Sequence, residues 1–208
     1  MDHESRAAFF DGTAEHYDED TFHLRVAEAL VEGLPEGPDL VLDVATGTGF
    51  AAYAALRLKP SRVLAVDVSP AMLARAEAKA PSLDPSGVIT WQVAPAVPMP
   101  ARDHTADVVL CASALHFLGA TAFPDWLRVL KPGGRLAFSV VSGARFKPSG
   151  PFADFVPTDL EFPHDEAGAA ALATSAGFAD ASARTFTFDA GDRVRSVLLV
   201  HATAPGKP

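Results

Sequence analysis

Two glycines and an aspartate carry the strongest chemical signal in this chain. Residues 41–49 read Val-Leu-Asp-Val-Ala-Thr-Gly-Thr-Gly, and a second apolar run, Arg62-Val-Leu-Ala-Val-Asp67, closes on an acid. A short apolar run ending in Gly47 and Gly49 is a strand turning tightly into a helix. Without a Cβ, the backbone of those glycines can come close to a ligand. The helix that follows points its positive end at that ligand. A carboxylate at the C-terminal end of the next strand is placed to accept hydrogen bonds from ribose hydroxyls. Together these features imply a cofactor that contains adenosine. Gly47-Thr-Gly-Phe-Ala-Ala52 also satisfies the Gly-x-Gly-x-x-Ala fingerprint, so a nicotinamide dinucleotide is the rival occupant. A P-loop is excluded, because no Gly-Lys-Ser/Thr follows.

His116 is the leading candidate for proton chemistry. It follows the apolar run Asp107-Val-Val-Leu-Cys-Ala-Ser113, and ligands of open α/β sheets bind beyond the carboxyl ends of the strands. A histidine there can take a proton from a hydroxyl or an acidic carbon; it can equally serve as a pocket wall. His16 and His164 read as surface residues, and no cluster has metal-ligand spacing. The single cysteine, Cys111, excludes an intrachain disulfide and reads as a small buried hydrophobe.

The elements that must position these residues alternate. Residues 1–21 read as an arm, followed by a helix over 22–34 with Thr21 as its cap. Strand 40–45 leads to helix 49–58, then strand 62–67. Ser69-Pro70 opens a helix over 70–79, serine capping and proline in the first turn. Strands follow at 89–93 and 106–112, then a helix at 120–130 stopped by Lys131-Pro-Gly-Gly134, and a strand at 135–141. Strand–helix alternation predicts a parallel sheet covered on both faces. A helix over 165–176 precedes two runs, Ala183–Phe188 and Arg195–Ala202, joined by Asp189-Ala-Gly-Asp192, which predicts a terminal antiparallel hairpin. Phe146, Phe152, Phe155 and Phe162 lie in an aperiodic stretch and must pack on something, either as a substrate lid or as core. With the arm residues Phe9, Phe10 and Tyr17 they favour a small or flat apolar ligand.

The chain has 208 residues, 49% of them hydrophobic, the composition of an ordinary globular protein. A net charge of −9 argues against binding a phosphate backbone, so no nucleic-acid partner is expected. No apolar stretch approaches the roughly 20 residues of a membrane span, and the acidic N-terminus carries no signal-peptide core. A cytoplasmic location is expected.

Four stretches in this order resemble the class I S-adenosylmethionine-dependent methyltransferases, in their small-molecule branch: Val41–Phe50, Ala65–Leu73, Asp107–Leu118 and Leu127–Leu136. The Asp-Val-Ala-Thr-Gly-Thr-Gly variant is most similar to quinone-biosynthesis C-methyltransferases and natural-product tailoring enzymes. The resemblance implies one α/β domain over residues 1–208, with a Rossmann-like doubly wound sheet of seven strands. It is mostly parallel and ends in the antiparallel hairpin. Residues 1–34 would form a helical arm or lid, and 142–165 a short insertion on the substrate side.

The resemblance also implies roles. Asp43 would lie near the methionine part of S-adenosyl-L-methionine, with Ala45, Gly47 and Gly49 in the loop beneath it. Asp67 would hold the ribose hydroxyls, Val68 and Met72 would flank the adenine, and Ala112 would offer a backbone carbonyl to its amino group. Tyr17 would cap the methionine end. One position departs from the family: Val93 stands where an acid usually bonds the adenine, leaving the backbone of Ala94 to meet the ring and removing a hydrogen bond worth about 1 kcal/mol. The implied activity is O- or C-methylation of a small apolar or aromatic molecule, yielding S-adenosyl-L-homocysteine, by a monomer or homodimer. A protein of this fold that does not methylate, such as a cyclase or a non-catalytic partner, is the alternative, followed by an NAD-dependent oxidoreductase.

Overall fold

The chain alternates strands that are apolar on both faces with short helices, and the computed structural model, which describes residues 3–189, 191 and 194–206, stacks them accordingly. Strands β1 (Leu40–Val44), β2 (Arg62–Asp67), β3 (Ile89–Val93), β4 (Ala106–Cys111), β5 (Leu130–Val140), β6 (Ala179–Asp189) and β7 (Val194–Thr203) form one sheet in the order β3-β2-β1-β4-β5-β7-β6. The first five run parallel, whereas β7 is antiparallel to both β5 and β6. The expected seven-stranded, doubly wound sheet with a C-terminal hairpin is the observed one.

Burial alternates along the central strands. Leu42, Val44, Val109 and Phe138 face one core with Trp126, while Val41, Ala65, Leu110 and Ala137 face the other with Val26 and Leu30. Each fully buried large side chain contributes about 1.5–3 kcal/mol, so the two layers hold the strand ends rigidly. Four buried alanines of α3 (Phe50–Ala55) let that helix lie close to the sheet.

The strand order reverses between β1 and β4, which leaves a crevice at their carboxyl ends. Facing it are the starts of α3, α4 (Pro70–Leu83) and α5 (Leu115–Leu118), and an arm made of α1 (His3–Thr13), a 3-10 segment Ala14–Glu19 and α2 (Thr21–Leu30). Helix α6 (Ala122–Val129) precedes β5, and α7 (Glu166–Ser175) precedes β6.

Several boundaries differ from the sequence expectation, each for a local reason. Asp20, not Thr21, caps α2: its Oδ1 accepts from Phe22 N at 3.1 Å. That helix stops at Leu30 instead of residue 34, ahead of Gly33 at a φ of 78°. Helix α4 runs past residue 79 to Leu83 and contains Pro81. The Lys131-Pro-Gly-Gly134 segment is the irregular start of β5, not a turn before it: Ala106 pairs with Leu130, and the register shifts before Val108 meets Arg135. The four-residue α5 is too short to show a period and was not expected. In the predicted hairpin turn, Ala190 and Asp192 lie outside the described residues.

Candidate active site

The loop after β1 is a run of left-handed backbone. Ala45, Gly47 and Gly49 have φ of 55°, 56° and 88°. The two glycines accept this freely, whereas Ala45 carries strain. Their closeness has different causes. A Cβ on Gly47 would sit 3.9 Å from the Tyr17 ring, whereas one on Gly49 would meet Trp91 at 2.7 Å. Gly47 therefore keeps the loop open toward the crevice, and Gly49 admits an aromatic beneath it.

Two carboxylates flank this loop. Asp67, 6% exposed at the end of β2, accepts from Gly47 N at 2.7 Å through Oδ2 and from Ser69 N at 2.9 Å through Oδ1. Burial raises its pKa while these backbone donors oppose the rise. Asp43, 1% exposed at the end of β1, accepts from Thr46 Oγ1 at 2.5 Å through Oδ2. Its Oδ1 is buried with no hydrogen-bond partner. Burial pushes the Asp43 carboxyl up to about 7, against the pull of Thr46 and the Ala52 N–H and reinforced by the charge on Asp67. A buried, half-satisfied acid needs a cation or donor from outside the fold.

Three cavities meet here. The first, about 230 Å³, is lined by Ala45, Gly47, Asp67, Val68, Met72 and Ala112, closed by Arg6 and Phe10 of the arm. The second, about 20 Å³, lies against Asp43, Thr46, Phe50 and His23. The third, about 390 Å³, is walled by Phe9, Phe10, Phe22, Phe117, Phe146 and Phe152, with His23, His116, Ser139 and Arg195 among its polar members. Tyr17 and Ser113 line all three. Burial, reinforced by the charges of Asp67, Asp20 and Asp18, holds the Tyr17 phenol well above its ordinary pKa, so it stays neutral.

Most residues expected at a cofactor site thus converge, with two exceptions. Gly49 packs under the loop against Trp91. Ala94 lies behind Asp67, donating its N–H to Asp67 O at 3.0 Å, and the cleft wall beside Val68 is made by Ala96 and Val97. Val93, 55% exposed, presents no acid.

His116 is on the third cavity as expected, 7% exposed, yet its surroundings are apolar. Its ring centroid lies 4.2 Å from Phe117, 5.4 Å from Phe146 and 6.0 Å from Phe152, and Nδ1 has no partner. Burial, reinforced by His23, depresses its pKa to about 3. His16 is exposed and bonded to Glu19, and His164 lies away from the three cavities. Among the described residues no group of three or more His, Cys, Asp or Glu side chains could hold a metal ion.

The aromatic stretch divides. Phe146 and Phe152 face the third cavity, while Phe162 backs Phe146 at 4.8 Å and buried Phe155 packs on Phe9 at 4.7 Å. Not foreseen were Arg6, His23, Ser113, Ser139 and Arg195. Ser113 has a φ of 58°, and its N–H donates to the fully buried Ser139 hydroxyl at 2.7 Å. The only sequence signal among these was the Asp20-x-x-His23 spacing at the start of an amphipathic helix.

This chain is similar to known proteins. Residues 42–138 match a family model described as a methyltransferase domain. The ubiquinone/menaquinone biosynthesis C-methyltransferase of Geobacter sulfurreducens is 34% identical over 174 residues, 71% of this chain and 68% of that one. The malonyl-[acyl-carrier protein] O-methyltransferase of Marinomonas sp. is 35% identical over 138 residues, 64% of this chain and half the length of that one. In structure, the Burkholderia thailandensis 1,6-didemethyltoxoflavin-N1-methyltransferase, solved with its acceptor and S-adenosylhomocysteine, superimposes with a TM-score of 0.69 at 21% identity, over 99% of this chain and 91% of that one. The Asp43 and Asp67 carboxylates, the open loop at Gly47 and the cleft at the strand ends fit S-adenosyl-L-methionine, whose ammonium would satisfy the orphaned Asp43 oxygen. The chain belongs to the class I S-adenosylmethionine-dependent methyltransferases of the small-molecule type.

Proposed function

We propose that this enzyme methylates a small, apolar or aromatic acceptor at oxygen or carbon, with the nucleotide in the first two cavities and the acceptor in the third. The observation that carries this reading is the 390 Å³ aromatic cavity, separate from the Asp67 cleft yet joined to it at Tyr17 and Ser113. A cavity walled by phenylalanines from both the arm and the 142–165 segment selects flat apolar ligands and excludes water. The cofactor supplies a methyl group already activated by the sulfonium charge. What remains for the chain is alignment. The strand ends and the rigid loop fix the nucleotide, Tyr17 separates the two ligands' chambers, and the phenylalanines hold the acceptor against that boundary.

The arm, residues 3–30 of the structure, acts in this reading as a lid over both chambers. Arg6 donates to Phe117 O at 2.8 Å, Asp11 accepts from Ser69 Oγ at 2.5 Å, and Asp18 accepts from Thr48 Oγ1 at 2.5 Å and from Lys79 at 2.9 Å.

Calorimetric titration with S-adenosylmethionine, S-adenosylhomocysteine and NAD, followed by a screen of flat hydroxylated and activated-carbon acceptors with methyl-labelled cofactor, tests the proposal. Micromolar binding of both sulfur nucleotides, and label transfer to an aromatic acceptor, are expected. Binding of the nucleotides with transfer to no acceptor would favour a non-methylating member of the fold, and binding of NAD instead would overturn the reading.

A further inference from the structure

Two histidines face the acceptor cavity, and the one on the arm is the better placed to take a proton. His23 lies in the first turn of α2 and lines both the small cavity beside Asp43 and the aromatic cavity. It therefore stands at the junction between the methionine end of the cofactor site and the acceptor. Its Nδ1 is buried and has no hydrogen-bond partner, an arrangement that costs about 1–3 kcal/mol unless a ligand group meets it. Its Nε2 lies 3.7 Å from Asp20 Oδ2. Asp20 is itself fixed, accepting from Phe22 N through Oδ1 and paired through Oδ2 with Arg195 of β7. The Tyr17 ring stacks on the imidazole at 5.2 Å and 20°, which sets its plane. His116, by contrast, has no acid near it and is enclosed by three phenylalanines.

We propose that His23 is the proton acceptor of the reaction, that Asp20 positions it and stabilises the imidazolium, and that the acceptor carries a weakly acidic hydroxyl of the phenol or enol type. This rests on the methyl-transfer reading above. As a lone pair of the acceptor oxygen forms the new C–O bond, the electron pair of the broken S–CH3 bond stays on sulfur as a neutral thioether. The hydroxyl proton passes to His23, leaves the Asp20–His23 pair when the arm opens, and is lost to solvent. His116 then serves as an apolar wall that grips the ring.

The charged and titratable groups around His23 support such a base. Burial lowers its pKa, so the imidazole is neutral and has a free lone pair at physiological pH; the Asp20 charge opposes that shift and Arg195 adds to it. Tyr17 is neutral, and His116 on the far wall is neutral as well. Catalytic histidine–carboxylate contacts of this length often tighten in the complex with the ligand.

The test uses 4-nitrophenol, whose phenolate absorbs in the visible, added to the full-length protein saturated with S-adenosylhomocysteine. In the wild type the bound dye should ionise about one pH unit lower than the free dye, with the proton on His23. His23→Gln should abolish the shift, and Asp20→Asn should at least halve it. His116→Gln should weaken dye binding several-fold yet retain the shift. Affinity for S-adenosylhomocysteine, measured on every variant, confirms folding; its absence in the wild type would sink the methyltransferase reading, not this assignment alone. A shift that survives His23→Gln, that is lost in His116→Gln instead, or that never arises because the wild type does not bind the phenol, overturns the proposal.

Discussion

The two halves of the cavity are built by opposite means. The half proposed for the nucleotide is built on the sheet's own turns: three left-handed residues between β1 and α3, two carboxylates at adjacent strand ends, and the first turn of α4. These features come from residues 43–72, and Ala96, Val97, Ala112 and the arm residues Arg6 and Phe10 complete the cleft. The acceptor half is side chain. Phe10, His23, Phe117, Phe152 and Arg195 come from five separate segments, and only the arm brings several of them together. On the proposed assignment, selectivity sits in the half walled by side chains of the arm, α5, the 142–165 segment and β7. Substitutions in the first half should therefore alter nucleotide binding, and those in the second should alter acceptor recognition alone.

The sharpest way to break that division is Asp67→Ala. It removes the acceptor held by Gly47 and Ser69, and calorimetry should show nucleotide affinity falling by about 100-fold or more. Unchanged affinity would place the nucleotide elsewhere.

Asp43→Asn comes next and separates stability from binding. The folded-state carboxyl, raised to about 7, holds a proton between roughly pH 4 and 7 that the unfolded chain has lost. Stability contributed by this group therefore falls as pH rises through that window. The Asn variant should be more stable at pH 8 by on the order of 2–4 kcal/mol, read as a higher melting temperature, while binding the nucleotide at least ten-fold less tightly. In the wild type, ionised Asp43 suits the cofactor's ammonium, so nucleotide affinity should rise from pH 6 to pH 8. A flat profile would remove Asp43 from that contact.

Phe152→Ala should raise the KM for an aromatic acceptor about five- to ten-fold, the worth of one aromatic contact of about 1 kcal/mol, and leave nucleotide affinity unchanged. Loss of both would mean that the halves are coupled. The smallest effect belongs to Ala45→Gly, which relieves a left-handed alanine and should stabilise the protein by up to about 1 kcal/mol, seen as a melting temperature a few degrees higher.

The same contrast explains what could be read from the chain in advance. Glycine, proline and a terminal acid act through local backbone geometry, so the loop at Gly47, the Asp67 strand end and the Ser69-Pro70 cap were legible, and the parallel sheet followed from alternation. The resemblance left the backbone of Ala94 to meet the adenine; in the structure its N–H donates to Asp67 O, and Ala96 and Val97 line the cleft beside Val68. The environment of His116 could not be foreseen, since it depends on Phe146 and Phe152, some 30 residues away in a stretch without periodicity. His23 was hidden for the same reason: its neighbours Arg195 and Tyr17 lie on β7 and the arm, and only the closed arm brings them together.

Helix α2 anchors the arm through buried Phe22, Val26 and Leu30, whereas the part before it is tied down by polar and charged contacts: Asp18 to Lys79, Asp20 to Arg195, Arg6 to a carbonyl of α5, Asp11 to the first turn of α4. Salt loosens these ties only in part, because screening is strongest beyond about 10 Å at 0.1 M and acts less on partly buried charges in direct contact. Residence time of the spent nucleotide thus becomes a property of the medium as well as of the fold. Moderate salt should speed its escape modestly while leaving the sheet and α2 in place, and when release limits turnover the rate should rise with it.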